Sequence, residues 1–187
     1  MMPDEILGWV TEQLEHCSIP YMIAGSFASN MHGLPRTTQD ADIIVELDVS
    51  SIDKLSQALG EDFYFDVSAA KEAIRQGMIS NIIHYESGFK VDLILRKNRQ
   101  FSREEFQRRQ LQQLAGKNCW FATAEDTIIA KLEWSKMGKS ERQFFDAVTV
   151  AKVQINNLDM DYLRRWAVDL QVEDLLNRLL DEIKGAE

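Results

Sequence analysis

Apolar residues in the first half of the chain recur with two spacings, one typical of helices and one typical of strands. Ile6, Val10 and Leu14 form a helical stripe, whereas residues 21–24 and 41–47 are short apolar runs between loop residues. The continuous Ile and Val content of the second run predicts a strand that is buried on both faces. The whole pattern predicts helices over 4–17, 26–32, 50–59 and 68–76, and strands over 21–24, 41–47 and 63–65.

Three helix boundaries are predicted by capping residues. Ser50 with Asp53, Thr123 with Asp126 and Ser140 with Gln143 each have the spacing of a capping box. Two further amphipathic helices follow the last of these. The second half of the chain thus ends in helices.

Before the helix that starts at Thr123, the apolar runs 79–85 and 89–95 flank Glu86-Ser87-Gly88, which is the signal of a β-hairpin. A short strand is also predicted over 119–122. The order of elements predicts an α+β fold with a mixed β-sheet flanked by helices and a C-terminal helical bundle. We expect an α/β core over 1–122 and a helical region over 123–187 that packs on it.

Composition narrows the classes of protein to consider. The 187 residues carry a formal net charge of -9, which argues against a protein that coats duplex DNA. No stretch approaches the run of about 18 apolar residues that spans a membrane, and the N-terminus is acidic, so we expect a cytoplasmic protein without a membrane partner. One segment, 96–109, is rich in arginine, and it is either an exposed face or a contact surface for RNA phosphates.

The first candidate for chemistry is the turn at Gly25 and Ser26. An apolar run stops at this dipeptide and a helix is predicted to start there. The N–H groups at the start of a helix attract anions, and glycine lets the backbone approach closely. The turn therefore predicts a phosphate site.

Three aspartates are the second candidate. Asp40 and Asp42 stand two apart on a predicted strand, so their side chains point to the same face. Asp92 stands alone inside an apolar strand, where it either pairs with a cation such as Lys90 or joins Asp40 and Asp42 around a metal ion. Three carboxylates from two neighbouring strands can hold two Mg²⁺ ions, or Mn²⁺ in their place, for an in-line displacement at phosphorus.

This combination resembles the signature of the polymerase-β-like nucleotidyltransferase superfamily in its small bacterial and archaeal forms. The resemblance rests on Gly25-Ser26, a gap of thirteen residues, Asp40-x-Asp42 between apolar residues, and the later Asp92. The run 124–132 followed by Arg142 and Phe145-Asp146 is similar to motifs of the AbiEii-type nucleotidyltransferases of toxin–antitoxin and phage-defence systems. The resemblance covers roughly 19–150.

The resemblance implies further site residues. In that family the Gly-Ser turn holds the nucleotide phosphates, the paired acids bind metal, and a later Lys and Asp complete the site, which here are Lys131 and Asp146. The lysine that usually follows the family's turn is missing after Ser26, which moves the expected triphosphate contacts to Arg36 or Lys131.

Each of these three residues also has a simpler interpretation. Lys131 can extend to solvent beside Trp134, Asp146 can pair with Arg142 on its own helix, and Arg36 can be a solvated loop charge.

The expected function is transfer of a nucleoside monophosphate from a nucleoside triphosphate to an acceptor hydroxyl on RNA or tRNA, a protein or a small molecule. Two alternatives stay open. The chain can be the toxin or interaction component of a two-gene module, which acts through a protein partner such as a cognate antitoxin and uses its two C-terminal helices for contact. It can also be a catalytically inactive member that only binds nucleotide.

Overall fold

The computed structural model describes residues 1–185. Its helices are α1 (Pro3–His16), α2 (Gly25–His32), α3 (Ile52–Leu59), α4 (Val67–Gln76), α5 (Gln100–Arg108), α6 (Ala124–Gly138), α7 (Glu141–Gln154), α8 (Met160–Asp169) and α9 (Glu173–Lys184). Its strands are β1 (Tyr21–Ile23), β2 (Asp40–Val45), β3 (Phe63–Tyr64), β4 (Ser80–His84), β5 (Lys90–Leu95), β6 (Gln110–Leu114) and β7 (Lys117–Phe121).

The strands of residues 1–185 form one seven-stranded sheet in the order β3-β4-β5-β2-β1-β7-β6. β2 is parallel to β5 and β1 is parallel to β7, whereas the other neighbours are antiparallel. The sheet is therefore mixed, and the predicted α+β class with helices beside a mixed sheet is confirmed. The predicted hairpin is also confirmed as β4 and β5.

The chain groups into two compact units. The first contains Met1–Ala24 and Thr38–Phe121, which supply the whole sheet with α1, α3, α4 and α5. The second contains Gly25–Thr37 and the chain from Ala122 onward, which supply α2 and α6 to α9. The division into domains at residues 122 and 123 stays a prediction.

The core of the sheet unit is built from the apolar stripe of α1 and from β1. Ile6, Val10 and Leu14 are completely buried, as the helical spacing predicts, and α1 packs on α3, β6 and β7. Met22 and Ile23 of β1 are also completely buried. This core fixes β1, and through β1 it fixes the neighbouring strand β2.

Burial along β2 alternates, so the prediction of a strand buried on both faces is wrong. Ala41, Ile43 and Val45 face the core, whereas Asp40 is exposed and Asp42 is half-buried. The acidic side chains require water or a counterion. The acids of β2 therefore lie on the face of the strand opposite to Ala41, Ile43 and Val45.

One local prediction, the cap of α3, needs correction, and one strand, β6, was not predicted. Asp48, rather than Ser50 with Asp53, provides the cap before α3, because it accepts hydrogen bonds from the backbone N–H and the hydroxyl of Ser51 at 2.9 Å in a short 3-10 turn. The sequence also gave no sign of β6. It forms a hairpin with β7 through Ala115 and Gly116, whose φ angles of 48° and 80° suit a tight two-residue turn.

The helical unit has the caps that the sequence predicts. The Thr123 and Ser140 side chains accept hydrogen bonds from the N–H groups three residues later and begin α6 and α7. α6, α7, α8 and α9 pack on one another, which confirms a C-terminal helical bundle. Among the described residues, no helix is both long enough and apolar enough to cross a membrane.

Candidate functional site

The three predicted aspartates lie on one face of the sheet in the first unit. β2 and β5 run parallel with Asp42 directly opposite Asp92 and Asp40 directly opposite Lys90. β4 continues the row, with Asn81 opposite Asp92. Because paired residues of neighbouring strands project to the same side, these five side chains share one face, which we call the acidic face.

Asp92 is held on both of its oxygens. Its Oδ2 accepts a hydrogen bond from the Lys90 ammonium at 2.9 Å, and its Oδ1 accepts one from the side-chain amide of Asn81. The pairing with Lys90 is the alternative that the sequence left open for this residue. Asn81 was not predicted, because an exposed polar residue at the start of a strand gives no signal of its own.

The three carboxylates of the acidic face all affect the pKa of Lys90. The hydrogen bond with Asp92 raises the pKa of Lys90, and the charges of Asp92, Asp40 and Asp42 raise it further against the opposing effect of burial. One ammonium therefore interacts with three carboxylates. It stays protonated throughout the physiological range.

The donor set of the acidic face suits a hard divalent cation. Mg²⁺ is usually held by one or two protein carboxylates together with water and substrate phosphates. Asp40 and Asp42, two residues apart on one face, meet that need. Within residues 1–185 no three acidic, histidine or cysteine side chains form a ready metal-binding group, and the engagement of Asp92 with Lys90 agrees with this.

The other predicted residues form a cluster in the second unit, which we call the Asp146 cluster. Arg36 donates from Nε to Oδ1 of Asp146 at 3.0 Å and from Nη2 to Oδ2 at 2.9 Å. Lys131 donates from Nζ to the same Oδ2 at 3.1 Å, and Arg36 Nη2 also reaches the hydroxyl of Ser26 at 2.9 Å. Two cations thus share one carboxylate, and one of them, Arg36, also contacts the hydroxyl of Ser26.

The geometry of the Asp146 cluster contradicts the simpler interpretations of Lys131, Asp146 and Arg36 as surface or local charges. Lys131 is 5% exposed and Asp146 is 8% exposed, so neither is a surface charge, and Asp146 pairs across the unit with Arg36 and Lys131. Burial alone would raise the pKa of Asp146, but the hydrogen bonds and charges of Arg36 and Lys131 outweigh it and hold that pKa below its ordinary value. Arg36 is fixed to the carboxylate and is not a solvated loop charge.

Asn30 orients the loop that carries Arg36. Its amide donates to the carbonyl of Arg36 at 2.7 Å, and its side-chain oxygen accepts from the Arg36 backbone N–H at 3.1 Å. Asn30 lies on α2, so the helix that begins at Gly25 also sets the position of the arginine. Sequence reasoning missed this contact, because only the folded loop brings residues 30 and 36 together.

The turn at Gly25 has the geometry that a glycine favours. Gly25 has a φ of 57° and is the first residue of α2, and its carbonyl accepts a hydrogen bond from the Ser29 hydroxyl at 3.0 Å. Ser26 therefore stands in the first turn of an eight-residue helix. The N–H groups of that turn and the Arg36 guanidinium favour an anion at this position.

The arginine-rich segment is largely committed to contacts within the first unit. Arg96 pairs with Glu46 and lies 6.0 Å from the Phe106 ring, and Arg109 lies 4.4 Å from the same ring and 5.2 Å from Trp120. Much of this positive charge therefore supports the packing of α5. A role in contacting RNA phosphates stays a prediction.

Neither a protein-family profile nor a curated protein sequence matches the chain. The fold of the chain is, however, similar to that of solved structures. A nucleotidyltransferase-like protein from Paracoccidioides brasiliensis is 16% identical with a TM-score of 0.53, over 96% of this chain and 92% of that one. JHP933 from Helicobacter pylori is 13% identical with a TM-score of 0.51, over 97% of this chain and 90% of that one. The fold of this chain is therefore similar to that of a nucleotidyltransferase-like protein.

Proposed function

We propose that this chain is a metal-dependent nucleotidyltransferase that moves a nucleoside monophosphate from a nucleoside triphosphate to an acceptor hydroxyl. The observation that carries the proposal is the register of β2 and β5, which places Asp42 beside Asp92 and puts Asp40 on the same face. Three carboxylates on one face repel one another, and a bound cation would relieve that repulsion. A fold similar to that of a nucleotidyltransferase-like protein gives this chemistry its context.

In the proposed reaction the acceptor oxygen attacks the α-phosphorus and its proton passes to solvent water. The bond between that phosphorus and the oxygen bridging to the β-phosphate breaks, and pyrophosphate leaves with the bonding electrons. Negative charge therefore grows on the leaving group. Groups that are already in place and positively charged stabilise it best, because they need no reorganisation.

In this proposal Arg36 and Lys131 of the Asp146 cluster take that role, as the motif resemblance implies. Arg36 presents a planar fork of donors and Lys131 presents a compact ammonium, and the shared carboxylate of Asp146 fixes both. Gly25 and Ser26, at the start of α2, would contribute N–H and hydroxyl donors to the β- and γ-phosphates. In this proposal Asp146 is a positioning residue and does not contact the reacting atoms.

Asp40 and Asp42 would hold the divalent ions, Mg²⁺ or Mn²⁺, with Asp92 as the third carboxylate. When bound, such ions supply charge neutralisation to the phosphates and to the attacking oxygen. The hydrogen bond from Asn81 keeps Asp92 oriented toward the acidic face.

The contact between Lys131 and Asp146 supports the finer proposal of an AbiEii-type enzyme, since these are the two residues that the motif resemblance singled out. The hypothesis of action through a protein partner stays a prediction. Trp166 of α8 and Leu179 of α9 are buried inside the helical unit, whereas Val168 of α8 is 56% exposed.

The test is calorimetric titration with each of the four nucleoside triphosphates, in Mg²⁺ and in EDTA. Wild type is expected to bind one of them in a Mg²⁺-dependent way, and Asp42→Asn is expected to lose that binding. Asp53→Asn is the matched control, because Asp53 lies in the same unit, outside the acidic face, where it forms an exposed pair with Lys71 at 2.8 Å. If Asp42→Asn binds as wild type does, the proposal is wrong.

Transfer is then measured with the nucleotide that binds, labelled at the α-phosphate. Label that enters an acceptor fraction in wild type and not in Asp42→Asn supports transfer. Metal-dependent binding without any transfer across RNA, protein and small-hydroxyl acceptors would support a nucleotide-binding protein instead.

A further inference from the structure

Lys90 lies where it can compete with a metal ion. It stands opposite Asp40 in the β2–β5 register and two residues before Asp92 on the same face of β5. Its ammonium is 2.9 Å from Oδ2 of Asp92, one of the two oxygens through which that carboxylate could bind an ion. A divalent cation bound at that oxygen would lie within a few ångströms of the ammonium, and the two positive charges would repel each other strongly.

We propose that Lys90 is a tethered counterion that competes with divalent metal for the acidic face and is displaced from Asp92 when metal binds. The inference rests on the proposed metal role of the carboxylates. It adds that metal affinity is set in part by a side chain that is not a ligand. The competing ammonium and the carboxylate come from the same strand, because Lys90 and Asp92 are two residues apart in the sequence.

The surroundings of Lys90 allow it to leave. Its side chain is 39% exposed, whereas that of Asp92 is only 13% exposed, so the ammonium can move to water while the carboxylate stays in place. Asn81, on the other side of Asp92, holds Oδ1 independently of the lysine. Departure of the ammonium therefore frees one oxygen without releasing the carboxylate from its position.

Competition has a measurable consequence for metal affinity. Removing one positive charge from the immediate surroundings of a divalent ion should tighten its binding at least about tenfold, since like charges a few ångströms apart repel strongly even in a partly hydrated site. Lys90→Met keeps most of the aliphatic stem and removes the charge. Lys90→Arg keeps the charge and should keep weak binding.

The experiment is titration of the nucleotide-free protein with Mn²⁺, followed by the loss of the electron paramagnetic resonance signal of free Mn²⁺. Lys90→Met and Lys90→Gln should bind Mn²⁺ at least about tenfold more tightly than wild type. Lys71→Met is the matched control, because Lys71 pairs with Asp53 at 2.8 Å outside the acidic face, and it should bind as wild type does. Urea unfolding of each variant establishes that it is folded.

The outcomes separate this inference from the proposed function. If wild type binds Mn²⁺, Asp42→Asn does not, and Lys90→Met binds no more tightly than wild type, the competition is refuted while the metal site stands. If neither wild type nor the two neutral Lys90 variants binds Mn²⁺, both the metal site and the competition are wrong. Tighter binding in both neutral variants and in Lys71→Met alike would reflect overall charge and would also overturn the inference.

Discussion

Replacement of Asp146 by asparagine should destabilise the protein far more than loss of a surface ion pair. The substitution keeps the shape of the side chain and one acceptor oxygen but removes the charge that Arg36 and Lys131 share. Lys131 is 5% exposed, so its ammonium would lose the carboxylate at 3.1 Å in a mostly dry environment. Removal of one partner of a fully buried pair costs about 3 to 5 kcal/mol.

Two features of the cluster reduce this figure. The asparagine oxygen still accepts a hydrogen bond, and Arg36, whose side chain is 29% exposed, can turn toward water. We expect a loss of about 2 to 3 kcal/mol in the free energy of unfolding. For a chain of this length that corresponds to a fall in Tm of about 4 to 12 °C.

Urea unfolding followed by circular dichroism measures this loss, and a double-mutant cycle isolates the pair. Asp146→Asn and Lys131→Met together should be less destabilising than the sum of the two single changes by about 1 to 2 kcal/mol. The comparison cycle uses the exposed pair of Asp53 and Lys71, where we expect a coupling of at most about 1 kcal/mol. Equal coupling in the two cycles would refute the view that burial makes the Asp146 cluster special.

Two further predictions concern the same unit. Gly33→Ala should destabilise the helical unit by about 1 to 3 kcal/mol in urea unfolding, because a Cβ at this position would lie 3.0 Å from the backbone nitrogen of Val150. Gly138→Ala, whose Cβ would have its nearest neighbour at 4.0 Å, should be neutral or slightly stabilising. Similar losses in both variants would contradict the packing argument. Burial raises the pKa of Asp146, but Arg36 and Lys131 hold that pKa below its ordinary value, so the unfolded chain binds this proton more readily. The stability that the charge adds is therefore present above about pH 4 and is lost as pH falls through the folded pKa. Unfolding measured from pH 7 to pH 3 should show the wild type losing its advantage over Asp146→Asn only in that acidic window.

The elements that the sequence predicted well are those set by neighbouring residues. The hairpin of β4 and β5 follows from two apolar runs around a glycine turn, and the starts of α6 and α7 follow from Thr123 and Ser140 as caps. β6 was missed because its side chains are mainly polar and it lies at the edge of the sheet. Its backbone pairing with β7 needs no apolar pattern.

The contacts within the candidate site were less predictable because they join distant positions. Residues 36 and 146 are 110 apart in sequence, and nothing near either one indicates the other. The sequence suggested Arg36 and Asp146 separately, one from a missing lysine and one from a motif resemblance. It could not show that they form one cluster, since that depends on the packing of α2 on α7.

The two interpretations that the sequence left open for Asp92 are compatible in the folded protein. An ion pair with Lys90 needs only β5, because both residues lie on that strand two positions apart. It does not require Asp42 on the adjacent strand to stand directly opposite Asp92, nor Asp40 to stand opposite Lys90. A purely structural ion pair needs one carboxylate, whereas here three carboxylates surround a single ammonium and repel one another. The register therefore supports the proposal that the pair is one state of a face whose carboxylates also bind a divalent cation.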